Sequence, residues 1–156
     1  MACVLASAGC SSPGTEPAAI VIDVGVDAEA SPIARGAEFV RNRACADCHQ
    51  SAEPAEGVLS GRATPLPFTK TYPANLTPDP ETGLGRWLDA EIGKAIRAGY
   101  DQSNHALCDQ MPRFYRMSDD ELAAIIVYLR SLPPLRRAIP ASVCPPIKVE
   151  DAGTRD

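Results

Sequence analysis

Apolar positions recur with helical spacing in three stretches of the chain, and long aperiodic segments separate them. Ile33, Gly36, Ala37 and Val40 follow the i, i+3, i+4, i+7 pattern of one helical face. Ser31 and Pro32 just ahead of them supply an N-cap hydroxyl and a proline at the first helical position. The pattern predicts a helix of about three turns that delivers the chain to Cys45. Gly36 costs about 1 kcal/mol relative to alanine inside a helix, which fits either a close-passing second helix or a tolerated surface glycine. Asp89 opens a second helix, with Glu91 in its first turn, Ile92, Ala95 and Ile96 as its inward stripe, and Gly99 just past its end. A third begins at the capping box Ser118-Asp119-Asp120-Glu121, runs through Leu122, Ile125, Ile126 and Leu129, and stops at Pro133-Pro134. Ile125 and Tyr128 lie three apart, suited to crossing the first helix near Gly36.

The segments between these helices have a different character. From Gln50 to Arg86 the chain is rich in proline and glycine, with Pro67-Phe68 and Tyr72-Pro73 as apolar points and consecutive turns over Asn75 to Gly83. A connection this long without secondary structure is unusual in a compact domain, and is expected here to pack on a cofactor instead of on protein. Residues 11–30 read as an acidic Pro/Gly/Ala linker. The run Ala18 to Ile22 within it has no evident partner strand. The expected divisions are therefore 1–30, export-signal remnant and linker; 31–135, the folded domain; and 136–156, a Pro-rich C-terminal tail.

Composition sharpens this picture. Aromatic residues make up only 5% of the 156 residues, so a protein-only core would be modest and a buried prosthetic group would supply the missing apolar surface. The net charge of -5 is concentrated at the ends. Glu16, Asp23, Asp27 and Glu29 stand without a Lys or Arg between residues 10 and 30, and Glu150, Asp151 and Asp156 face only Arg155 at the other end. The domain between is close to neutral, with no basic stripe of the kind that binds nucleic acid.

The chemistry is concentrated in Cys45-Ala46-Asp47-Cys48-His49. Two thiols separated by two residues and followed at once by an imidazole form the local signature of covalent haem attachment, with the cysteines as thioethers and the histidine on the iron. A thioredoxin-like redox pair would need a βαβ setting, which the pattern lacks. A zinc module could draw on Cys45, Cys48, His105 and Cys108. Haem is the reading the contiguous motif favours.

Haem iron takes a sixth ligand in an electron carrier and leaves that position open in many catalysts. Met111, before Pro112 in the connection between the second and third helices, is placed to fold over the distal face. Met117 abuts the cap of the third helix and reads as a hydrophobic staple. His105 lies in a polar loop and reads as solvated. Met111 is the favoured ligand, with His105 or an open site as alternatives. Arg113 and Arg116 belong either to a docking face for an acidic partner or to a solvated loop.

Taken together, Cys45 to His49 after an amphipathic helix, the stretch Asn75 to Gly85, Met111-Pro112, and the helix from Leu122 to Pro133 resemble a bacterial class I c-type cytochrome over residues 31–135. The resemblance implies an all-α fold of three main helices and long loops around one covalent haem c. It also implies His49 as proximal and Met111 as distal ligand, and one-electron transfer between redox protein partners outside the cytoplasm, with no catalysis of its own. The alternative from another class is a haem-bearing subunit of a periplasmic dehydrogenase or peroxidase-type enzyme. Ala8, Gly9 and Cys10, followed by Ser11-Ser12-Pro13-Gly14, resemble the end of an export signal with a lipoprotein cleavage site. Cys10 is thus expected to carry lipid on a monomer in the periplasm, a plainly cleaved signal being the alternative. No segment is long enough for a transmembrane helix. If Cys3 belongs to the signal, Cys10 carries lipid and Cys45 and Cys48 hold haem, Cys108 and Cys144 remain as an even pair in an oxidising compartment. They are expected to form a disulfide that ties the tail to the Met111 loop.

Overall fold

The computed structural model describes residues 31–51 and 57–144. The expected export signal, Cys3, Cys10, the acidic linker and the end of the tail lie outside the described residues. The helices are α1 (Pro32–Asn42), α2 (Cys45–His49), α3 (Asp89–Ala98) and α4 (Asp119–Ser131). Among the described residues, extended pairing is limited to two isolated antiparallel bridges, Lys70 with Val143 and Tyr100 with Ala106. The all-α expectation holds, with α2 as a short helix that periodicity did not predict.

Helices α1 and α4 cross at Gly36. A Cβ there would overlap the Ala124 carbonyl oxygen and lie 2.6 Å from Tyr128 Cβ, so the glycine is needed for the close approach of a second helix. Behind this crossing, Val40, Ile92, Ile125, Ile126 and Leu129 form the core with Leu59, Leu84, Met117 and Leu132 from the loops. Helix α3 joins α4 through Gly93, where a Cβ would sit 3.0 Å from the Leu122 side chain.

The helix ends follow the sequence signals with one difference. The Ser31 hydroxyl accepts the Ala34 N–H at 3.2 Å, and the Ser118 hydroxyl accepts the Glu121 N–H at 3.2 Å. The Glu121 carboxylate does not turn back to complete the capping box. It accepts two hydrogen bonds from the Arg43 guanidinium, at 2.6 and 2.8 Å, and so fastens the first turn of α4 to the residue that follows α1. The bonded guanidinium holds the Glu121 carboxyl below its ordinary value. Arg43 also lies 5.7 Å from the centroid of the Phe114 ring.

The long connection from Gln50 to Arg86 is expected to lean on a cofactor, yet much of the order in its described part comes from its own polar groups. Asn75 Oδ1 accepts from the Thr77 N–H at 3.0 Å and the Thr77 hydroxyl at 2.8 Å, while its Nδ2 donates to the Leu135 carbonyl at 2.8 Å. Asp79 Oδ1 accepts from the Glu81 and Thr82 N–H groups and the Thr82 hydroxyl. Buried polar side chains paired in this way replace the backbone ladder that the segment lacks. Residues 136–144, expected within a tail, run back along this segment. The Arg137 N–H donates to Thr82 Oγ1 at 2.8 Å, the Tyr72 N–H to Ser142 Oγ at 2.8 Å, and the Val143 N–H to the Lys70 carbonyl at 2.9 Å.

Candidate functional site

Between α1 and α2 the chain passes through Ala44, whose φ of 56° and ψ of 29° are left-handed. A residue with a Cβ pays about 1 kcal/mol for this conformation, and the break lets the chain re-enter a helix in a new direction. Within α2, Cys45 and Cys48 stand three apart and share one side of the turn, with His49 next in line. Both cysteines carry free, half-buried thiols. Burial pushes the Cys45 thiol above its ordinary value, so it stands as the neutral SH.

His49 Nδ1 lies 2.8 Å from the Ala74 carbonyl oxygen. A carbonyl only accepts, so the proton of the neutral ring sits on Nδ1 and the lone pair on Nε2. Burial holds the imidazole pKa below its ordinary value, against the smaller opposing effect of this bond. A neutral imidazole oriented through its second nitrogen is how metal-ligating histidines are prepared. The surroundings lock α2 in place: the His49 carbonyl accepts the Gly61 N–H at 2.8 Å, and the Gln50 side chain bonds the Gly57 carbonyl at 3.0 Å and the Leu59 N–H at 3.1 Å.

The second region is the loop between α3 and α4. Cys108 is buried and joined to Cys144 by a disulfide, Cα to Cα 5.0 Å, as expected. This takes Cys108 out of any metal set. Among the described residues no group of three or more His, Cys, Asp and Glu side chains is arranged to hold a metal ion, and the zinc alternative falls. The His105 side chain is 80% exposed, with Nδ1 3.4 Å from Asp101 Oδ2. Met117 is 6% exposed and part of the hydrophobic core. Met111 is half-buried outside that core, its N–H donating to the Cys108 carbonyl at 3.0 Å.

Arg113 departs from both expectations for it. Its guanidinium turns inward, donating from Nη2 to the Leu107 carbonyl at 2.8 Å and from Nη1 to the Cys108 carbonyl at 3.4 Å and to the Met111 carbonyl. Its neighbour Arg116 is exposed. Sequence reasoning also missed the Ala74 carbonyl, which leaves no side-chain signature, and the bond from Thr71 Oγ1 to Gln110 Oε1 at 3.0 Å. For Arg113, the glycine at the end of α3 was the one signal that could have pointed to its inward course.

The residues present fit a covalently held haem. Two thiols share one side of a single helical turn, and the adjacent imidazole offers a prepared Nε2. The stretch Thr71 to Ala74 touches the Met111 neighbour Gln110 at one end and His49 at the other. Three residues of chain span at most about 11 Å between Cα atoms, so this one short segment links the two regions.

Comparison with known proteins points the same way. Residues 33–133 match the sequence model of the family described as cytochrome c. The chain is 34% identical over 115 residues to a nicotinate dehydrogenase subunit of Pseudomonas putida, covering 72% of this chain and 10% of that protein. It is 32% identical over 104 residues to the cytochrome c subunit of the quinone alcohol dehydrogenase of Gluconacetobacter polyoxogenes, covering 65% of this chain and 22% of that one. It is also 33% identical over 122 residues to a diheme cytochrome c-type protein of Cereibacter sphaeroides, covering 73% of this chain and 40% of that one. The chain thus spans less than half the length of these relatives.

Proposed function

The chain belongs to the cytochrome c family, whose cofactor is a covalently bound haem c, and on that premise we propose that it is a one-electron carrier with Cys45 and Cys48 as attachment points, His49 as proximal ligand and Met111 as distal ligand. The haem supplies reversible one-electron chemistry at its iron. The protein's part is to hold and tune it. Cys45 and Cys48 fix it to α2, and the Ala74 carbonyl orients the His49 ring. Met111 would supply the second ligand, and a thioether there would raise the reduction potential. Catalysis is left to the partner.

The observation that carries this reading is the Nδ1 bond of His49 to Ala74, made beside two free thiols on one helical turn. The relatives support a partner of one kind: several are cytochrome subunits of dehydrogenases, for alcohol, fructose and gluconate among them. The chain accordingly takes electrons from a dehydrogenase outside the cytoplasm. No helix among the described residues is long and apolar enough to cross a membrane, and in this reading attachment is through lipid on Cys10 of a monomer.

Expression in a host that matures c-type haem tests the core of the proposal. The expected product is coloured, keeps its haem through denaturing electrophoresis, and shows the reduced bands of thioether-linked haem. A colourless protein, or one that releases its haem on denaturation, contradicts it.

A further inference from the structure

We propose that Arg113 is a positioning residue for the distal ligand, holding the loop so that Met111 stays on the iron; this rests on the assignment of Met111 to that position. The loop has no helix or strand, so its carbonyls depend on turn bonds and side chains for partners. Three of them, from Leu107, Cys108 and Met111, converge on the single guanidinium of Arg113, and the Asp109 carboxylate lies 3.8 Å from the same group. Charge-assisted bonds of this kind are about twice as strong as neutral ones.

The clasp is built into the end of α3. The Leu107 N–H donates to the Gly99 carbonyl at 2.8 Å and the Phe114 N–H to the Ile96 carbonyl at 3.1 Å, so both ends of the loop are strapped to α3. Between the straps the Arg113 side chain lies against Gly99, where a Cβ would collide with Nε and Cδ. Gly99 therefore serves twice: its φ of 74° ends the helix, and its missing side chain leaves the slot that Arg113 fills. A cation at a helix C-terminus is also favoured by the helix dipole.

One of the three carbonyls is that of Met111 itself. The arginine fixes the ligand's own backbone, while the disulfide at Cys108 anchors the loop three residues earlier. With the clasp in place the open loop is rare. An external ligand competing for the iron sees its affinity reduced by that small open fraction.

The test uses matured holo-protein in four forms: unchanged, Arg113→Gln, Arg113→Lys and Met111→Ala. The readouts are the red thioether-to-iron charge-transfer band of the oxidised form, the apparent affinity for added imidazole, and the reduction potential. Arg113→Gln is expected to weaken the band, lower the potential and bind imidazole about ten-fold more tightly or better, with Arg113→Lys between it and the unchanged protein. Unchanged band, potential and imidazole affinity in Arg113→Gln, with the band absent in Met111→Ala, overturn the role of Arg113 and leave the ligand assignment standing. Persistence of the band in Met111→Ala overturns the ligand assignment, and the positioning role with it. Should the Arg113 variants fail to accumulate as holo-protein, NMR of the unchanged protein decides. Slowly exchanging guanidinium protons with cross-peaks to Met111 are expected, and freely averaged ones contradict the proposal.

Discussion

Residues 45–49 and residues 107–113 serve one cofactor in the proposed assignment, yet the protein holds them in opposite ways. The attachment side is mostly local: one helical turn carries both thiols and the imidazole, the Ala74 carbonyl orients the ring, and the Gly61 N–H and residues 57–59 brace the end of the turn. The distal side has no helix or strand of its own. Its anchors come from Cys144, thirty-six residues away, from Thr71 in the long connection, and from the end of α3. The difference follows from what each region must do. Thioethers hold a haem wherever their helix goes, so attachment needs only correct spacing. A thioether sulfur stays on iron only if its loop is kept from swinging away, and that takes several independent anchors.

The comparison breaks most plainly if the attachment side proves dispensable. Replacing Cys45 and Cys48 together by serine is expected to abolish covalent haem, read as loss of haem-associated mass and of haem staining after denaturation. Retention of covalent haem would place the attachment elsewhere. Next in size is the tail anchor. Removing the disulfide with Cys108→Ser and Cys144→Ser is expected to lower the stability of the holo-protein by roughly 3–4 kcal/mol for a separation of 36 residues, measured by denaturant unfolding. It should also loosen the distal band while leaving covalent haem unchanged. An equal loss at both regions would mean that they are not independently held.

The helical scaffold under both regions gives a smaller effect. Gly36→Ala puts a Cβ into the Ala124 carbonyl and should cost about 1–3 kcal/mol in thermal or denaturant unfolding, with no change in the oxidised spectrum. The smallest is electrostatic. The Glu121 carboxyl is depressed by Arg43, so the pair contributes stability above the ordinary carboxylate value of 4.5 and loses it as the pH falls through the lower folded value. Because Arg43 is 40% exposed, Glu121→Gln should cost at most about 1 kcal/mol at neutral pH, and the gap to the unchanged protein should close in acid.

The same division decides what was legible in the sequence. The attachment motif is contiguous, and α1, α3 and α4 repeat at a period that a single chain displays, so both could be read directly. Gly36 left a close-passing helix or a tolerated surface glycine open, and the Ala124 carbonyl against it decides for the helix. Cys108 and Cys144 paired by elimination. The rest is built from side chains meeting distant backbone or one another: Arg113 on three carbonyls, Asn75 on Leu135, Gln110 on Thr71, His49 on Ala74. Such bonds have no period and no fixed spacing. Residues that make them look like ordinary polar loop positions, which is why Arg113 resembled a docking or solvated residue and residues 136–144 a Pro-rich tail tied through Cys144 alone.

The central claim is that the 107–113 loop supplies the second ligand through Met111, and the oxidised spectrum of the Met111→Ala holo-protein, set beside that of Met117→Leu, tests it most directly. The red thioether-to-iron charge-transfer band is expected to vanish in Met111→Ala and to persist in Met117→Leu, whose residue fills the core. A band that survives in Met111→Ala, or disappears in Met117→Leu with the fold intact, would contradict the assignment.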